Sequence, residues 1–116
     1  MTDAIIYHMC RAEEWRAALP SGSYPGSSQD RDDGFIHFST ASQIRESAAK
    51  HRAGQDGLLL LTVNAEALGD VLKWEESRGG ALFPHLYAPL RLSDVKWHKA
   101  LPWNGTNHDF PPEMLP

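Results

Sequence analysis

Three of the chain's six histidines stand where a β-strand ordinarily carries Val or Leu. His8 follows Ile5-Ile6-Tyr7, His37 sits inside Phe35-Ile36-His37-Phe38, and His85 lies within Phe83-Pro84-His85-Leu86-Tyr87. Strand side chains alternate between faces, so three strands can bring three imidazoles to one cleft wall. There they can act as acid, base or ligand-binding groups near neutral pH. One such histidine is ordinarily a satisfied core residue; three together favour a site. His51, His98 and His108 lie in polar surroundings and are read as solvated surface residues.

Other chemistries have weaker support. Zinc takes three or four ligands, but the chain has no His-x-His, His-Glu-x-x-His or Cys-x-x-Cys spacing, so no metal is expected. Cys10, two residues from His8 on the same strand face, is a candidate nucleophile because a neighbouring imidazolium lowers a thiol pKa; a buried cysteine in an apolar strand is more often inert packing. Gly-x-Ser-x-Gly, Gly-x-Gly-x-x-Gly and Walker sequences are absent, which removes the nucleophile elbow and the Rossmann and P-loop modes of nucleotide binding.

The elements that must position these residues are short and punctuated by Gly and Pro. Residues 4–10, β-branched and aromatic, read as a buried strand. Residues 11–19 read as a helix with Trp15 and Leu19 on one face, ended by Pro20. Residues 20–34, PSGSYPGSSQDRDDG, are turn-formers and read as an exposed loop; a loop this long tends to be functional, and Tyr24 is placed to close over a bound ring as a lid, or else to tuck against the helix at Trp15. Residues 35–39 form the second strand. Thr40 and Gln43 have capping-box spacing, so a helix follows over about 42–53, stopped by Gly54. The continuous apolar run 57–63 reads as a strand covered on both faces. A helical turn over 65–70, a strand from Val71, a turn at Gly79-Gly80, a short strand centred on Leu86 between two prolines, and a strand over 94–101 complete the series. Five to seven strands with two main helices make an α+β domain, one unit over 1–116 with a proline-rich tail from 102 that wraps the surface.

Length and composition agree with one ordinary globular core: 116 residues, 41% hydrophobic, 22% charged. No run approaches the roughly 18 apolar residues of a membrane span, and no membrane role is expected. The first residues lack the pattern of a secretory signal, and the one cysteine suits a reducing compartment, so the expected location is cytoplasmic. Asn104-Gly-Thr106 matches a glycosylation sequon and is read as a turn. A net charge of −4 argues against broad binding to nucleic acid.

The order of the segments carries a further signal. Tyr7-His8, a helix bearing Trp15, DGFIHFSTASQI, LLLLTV, Trp74-Glu75 and FPHLYAPL together resemble the DUF952 family, over about Ile5 to Val95. That family looks like a compact relative of the ADP-ribosyltransferase fold, a split, bent sheet that binds NAD in a cleft. The resemblance implies that His8, in YHMC, contacts ribose hydroxyls, with Met9 at the glycine and Cys10 at the hydroxyl residue of the His-Gly-Ser/Thr motif. It puts His37, in GFIHFS, at the aromatic that stacks on nicotinamide, followed by Ser39. The later-strand glutamate of those enzymes is matched by His85, near Tyr87, so the pattern is similar to the His-His branch that includes RNA 2′-phosphotransferases. Glu75 is either a carboxylate supplied from elsewhere or an exposed strand-end charge. On this basis His8, His37 and His85 are the expected catalytic residues, and His8, Cys10, Tyr24, His37, Ser39 and Tyr87 are expected to bind NAD. The implied activity is ADP-ribosyl or phosphoryl transfer, or hydrolysis of an N-glycosidic bond, with a small nucleotide as ligand. A non-catalytic nucleotide-binding module and a metal-dependent hydrolase built on the same histidines remain open.

Overall fold

The run Leu58 to Asn64 is apolar almost throughout because it is the centre of a sheet. In a computed structural model that describes residues 5–112, strand β4 (Leu58–Asn64) is flanked by β1 (Ile5–Arg11) and β8 (Val95–Leu101), both antiparallel to it. Its side chains are packed from both faces, as the unbroken hydrophobicity requires. Strand β8 alternates between half-buried and exposed residues, as an edge strand with one solvated face does.

A second antiparallel sheet holds β3 (Ile36–His37), β6 (Leu82–Leu86) and β5 (Leu72–Glu76) in the order β3-β6-β5. The two sheets meet at one bridge, where Tyr7 N–H donates to the Ser39 carbonyl and Ser39 N–H to the Tyr7 carbonyl, each at 2.8 Å. A third ribbon pairs β2 (Ser23–Tyr24) with β7 (Leu90–Arg91). Helices α1 (Ala12–Ala18), α2 (Ser28–Asp33) and α3 (Ile44–His51) complete the α+β architecture. The core has two parts. One gathers Ile6, Trp15, Tyr24, Ile36, Phe38, Leu61 and Leu86; the other packs Tyr7, Leu58, Leu60 and Leu101 against Ile44 of α3.

The expected α+β class is present, and the described residues form eight strands instead of five to seven and three α-helices instead of two. The largest departure is at residues 20–34, which are not an irregular loop. Ser27 caps α2: its Oγ accepts from Asp30 N–H at 3.2 Å, and Asp30 Oδ2 accepts from Ser27 N–H at 2.8 Å. Gly34, at φ +87°, ends that helix in the left-handed conformation, as glycine does without a steric penalty. Tyr24 is fully buried in β2, so it cannot serve as a lid.

Smaller corrections have equally local causes. The first helix ends at Ala18, which leaves Leu19 54% exposed while Trp15 is buried. The second expected helix, α3, starts at Ile44. Gln43 Oε1 does accept from Thr40 N–H at 3.0 Å, but the Thr40 hydroxyl pairs with Ser42 Oγ at 3.1 Å, so only half of the capping box forms. His108 is buried, not solvated, and pairs with the Gln55 carbonyl at 2.7 Å; His98 and His51 are exposed. Asn104 Oδ1 accepts from the N–H groups of Thr106 and Asn107, which makes Asn104-Gly-Thr106 a turn. Ala4 of the first expected strand and residues 113–116 of the tail lie outside the described residues. No helix among the described residues is long and apolar enough to cross a membrane.

Candidate functional site

His37 and His85 are directly opposite each other in the β3–β6 pair. Cross-strand partners share a face, and the rings meet edge to face with centroids 5.6 Å apart. Period-2 alternation adds Phe35, Glu75 and Tyr87 to the same face. Phe35 stacks on His85 at 4.1 Å between centroids. Both histidines line a cavity of about 660 Å³ between the two sheets, and His8 lines it as well, together with Asp30, Asp33 and Ser39. The three histidines singled out by sequence therefore share one cleft, but they do not share one environment.

His8 is 3% exposed, and protein groups occupy both ring nitrogens. Its Nδ1 lies 2.6 Å from the His37 carbonyl, its Nε2 2.8 Å from the Tyr24 hydroxyl. A carbonyl only accepts, so Nδ1 carries the proton and Nε2 accepts from Tyr24. Burial, only partly offset by the Asp30 carboxylate 3.6 Å away, pushes the His8 pKa below its ordinary value and keeps the ring neutral. With both nitrogens engaged, His8 has no polar atom left for the ribose contact expected of it; it holds the backbone that carries His37.

Cys10 and Tyr24, unlike His8, do not line the cleft. Both are fully buried in the core beneath it. Burial pushes the Cys10 thiol up to about 12 and the Tyr24 phenol well above its ordinary value. Cys10 is therefore a packed thiol, not a nucleophile, and neither residue is placed to bind a cofactor. Ser39 does line the cleft, with its hydroxyl 3.1 Å from Ser47 Oγ. Tyr87 is 44% exposed beside the cleft and donates to Glu75 Oε1 at 2.6 Å.

His37 is held between two carboxylates. Its Nδ1 donates to Asp30 Oδ1 at 2.6 Å and its Nε2 lies 3.0 Å from Asp33 Oδ2. Asp30 is itself buried and charged, which is costly unless the charge is fully satisfied. Burial pushes its pKa up, but the hydrogen bonds from the His37 ring and from the backbone amides of Ser27 and His37 outweigh this and hold it at about 2. Gly26 makes room for it. At φ +94° a Cβ on residue 26 would lie 2.7 Å from the Asp30 Cβ. Asp33 and the His37 side chain, in contrast, are about 40% exposed, so a ligand can reach both.

His85 is buried, and its Nδ1 donates to Glu75 Oε1 at 2.8 Å. The Tyr87 hydroxyl, then the His85 ring, hold the Glu75 carboxyl below its ordinary range. Glu75 is thus an orienting partner for His85, not a solitary strand-end charge. The cleft consequently presents two imidazoles, each fixed through Nδ1 by a carboxylate. Asp30 and Asp33 escaped sequence reasoning because they lay in an apparent loop; the signal was the Ser27-x-x-Asp30 capping box followed by Gly34. Among the described residues, no three of His, Cys, Asp and Glu are placed to hold one metal ion.

Residues 9–98 match the family described as protein of unknown function, DUF952. The chain belongs to the DUF952 family. Solved structures of a similar protein share its fold. Protein CC0527 from Caulobacter crescentus, in its crystal structure, is 48% identical over 90% of this chain and 91% of that one, with a TM-score of 0.86. Its solution structure gives 47% identity over 91% of each chain and a TM-score of 0.81. No curated protein matches. The DUF952 match includes His37, His85 and the three carboxylates Asp30, Asp33 and Glu75, and starts one residue after His8.

Proposed function

We propose that this DUF952 protein is a transferase or hydrolase acting on the N-glycosidic bond of a nucleotide of the NAD or ADP-ribose class, with His37 and His85 as its working pair. The observation that carries this reading is the pairing itself: two imidazoles from adjacent strands, 5.6 Å apart in one cleft, each backed by a carboxylate. A carboxylate on Nδ1 sets the tautomer and leaves the other nitrogen of the ring to exchange a proton with substrate.

Roles follow from the differences between the two. His85, with Nδ1–H donated to Glu75, has its Nε2 lone pair as a general base for water or an acceptor hydroxyl. As the glycosidic bond breaks, its electron pair passes to the departing nicotinamide nitrogen and neutralises the pyridinium. The acceptor oxygen bonds to C1′, and its proton goes to His85. Positive charge develops on the sugar in between. Asp33, half-exposed in the cleft, supplies negative charge there, in place of the later-strand glutamate that the chain lacks. The Nε2 of His37 is suited to a ribose hydroxyl or phosphate oxygen once the ligand displaces Asp33 from it. The same pair suits transfer of a phosphate to C1′, the reaction of the RNA 2′-phosphotransferases that the sequence resembles.

Release of free nicotinamide from NAD tests the proposal, with and without an RNA 2′-phosphate acceptor. Turnover in the wild type and its loss by about 100-fold or more in His85→Ala is the expected result, the range for a general base. Binding of ADP-ribose without any turnover means a non-catalytic nucleotide module; neither binding nor turnover removes the nucleotide reading.

A further inference from the structure

We propose that the end of the cleft away from the paired histidines is an anion subsite, in which Arg52, assisted by Arg11, takes a phosphate group of the ligand. The inference rests on the nucleotide reading of the cleft and adds where the charged part of that ligand sits.

Arg52 follows α3 and reaches across to β1. One of its terminal nitrogens, Nη2, donates to the Met9 carbonyl at 3.2 Å and the other, Nη1, to Gln55 Oε1 at 3.1 Å. Both acceptors are neutral: they fix the plane of the guanidinium without cancelling its charge. The ion pairs among the described residues do not include Arg52. The carboxylate on this stretch of the wall, Glu14, is turned back to the Arg11 N–H at 3.1 Å. Arg52 is half-buried, and a partly desolvated cation facing a cavity gains from an anion placed there. The C-terminus of α3 carries about half a negative charge, less than the full positive charge of the Arg52 guanidinium that follows it.

Arg52 is bonded to the carbonyl of Met9, next to His8 on β1, and Arg52, Arg11, His37 and His85 all line the one cavity, so a single ligand can meet the arginines and the paired histidines. The planar fork of Arg52 can offer two parallel N–H donors to phosphate oxygens. A neutral nucleoside leaves that end of the cleft unfilled.

Inorganic pyrophosphate titrated into 15N-labelled protein tests the subsite without any chemistry. Saturable shifts are expected at the amides of residues 10–12 and 51–55 and at the Arg52 side-chain Nε–H. Arg52→Gln should weaken the apparent affinity by about tenfold or more, the loss of a charge-assisted bond pair, while Arg91→Gln, at an exposed arginine paired with Asp94 outside the cavity, titrates as wild type. Arg52→Lys keeps the charge but not the fork and serves if the glutamine variant does not fold; it should bind several-fold more weakly than wild type. An absence of saturable shifts up to about 10 mM, the weak end of specific binding, or equal affinity in wild type and both variants, overturns the subsite. Pyrophosphate binding at Arg52 with no NAD turnover leaves the subsite standing and removes the glycosidic chemistry. Turnover without the shifts does the reverse.

Discussion

The ring of His8 donates from Nδ1 to the carbonyl oxygen of His37 at 2.6 Å, so the histidine on the first sheet holds the backbone of the histidine on the second. That contact turns two residues of identical type and similar sequence surroundings into a support and a working group. His8 and Tyr24 should therefore matter for stability before they matter for chemistry. His8→Ala removes a buried ring and two hydrogen bonds and should cost about 2–4 kcal/mol, while Tyr24→Phe, which leaves Nε2 without its donor, should cost about 1–3 kcal/mol. Urea unfolding followed by tryptophan fluorescence measures both. A His8→Ala midpoint equal to wild type would contradict the supporting role.

Stability should fall in two windows as the solution is acidified. The folded His8 pKa lies below its ordinary 6.5, so below that pH the unfolded chain takes up a proton that the folded chain refuses, and stability declines. The folded Asp30 pKa is about 2 against an ordinary 3.8. Its contribution is present above 3.8 and is lost as the pH falls toward 2, an effect of about 2 kcal/mol. Asp30→Asn should lower stability at neutral pH and flatten the lower window. Unfolding free energies measured from pH 7 to pH 2 show whether it does.

The Cys10 thiol should be inert in the folded protein. It is fully buried, and burial holds its pKa at about 12, so almost no thiolate exists near neutrality. An aromatic disulfide reagent at pH 8 should label it only at the rate of unfolding, and stoichiometrically in denaturant. Fast labelling of the native chain would restore Cys10 as a candidate nucleophile.

Glu75→Gln separates orientation from folding. Glu75 is 41% exposed and accepts from both His85 and Tyr87, so its loss should leave the melting temperature nearly unchanged. The substituted amide no longer stabilises a proton on His85, and any turnover of NAD should drop about 10- to 100-fold, part of the effect of losing the base itself. Activity equal to wild type would show that Glu75 does not orient the ring.

Much of the framework was legible along the chain. The run Leu58 to Val63, apolar except for Thr62, marks a central strand, since a strand packed on both faces keeps nearly all its side chains apolar. His8, His37 and His85 stood out as polar side chains in apolar strands, and all three do reach one cleft. The capping residues of α2 were also present in the sequence, at Ser27, Asp30 and Gly34, although their Gly, Ser and Asp composition equally describes a loop.

What each histidine does was decided in three dimensions. His37 faces His85 only because β3 pairs with β6, residues nearly fifty positions apart, and a shift of one residue in that register would turn one ring away from the other. Tyr24 fills the second nitrogen of His8 only because β2 pairs with β7 and carries it into the core. Side-chain period and hydrophobicity are local properties and can be read from neighbours in sequence. The partners of a ring and its exposure depend on long-range pairing, and they separate His8, buried between a carbonyl and a hydroxyl, from His37 and His85, each held by a carboxylate at the cleft.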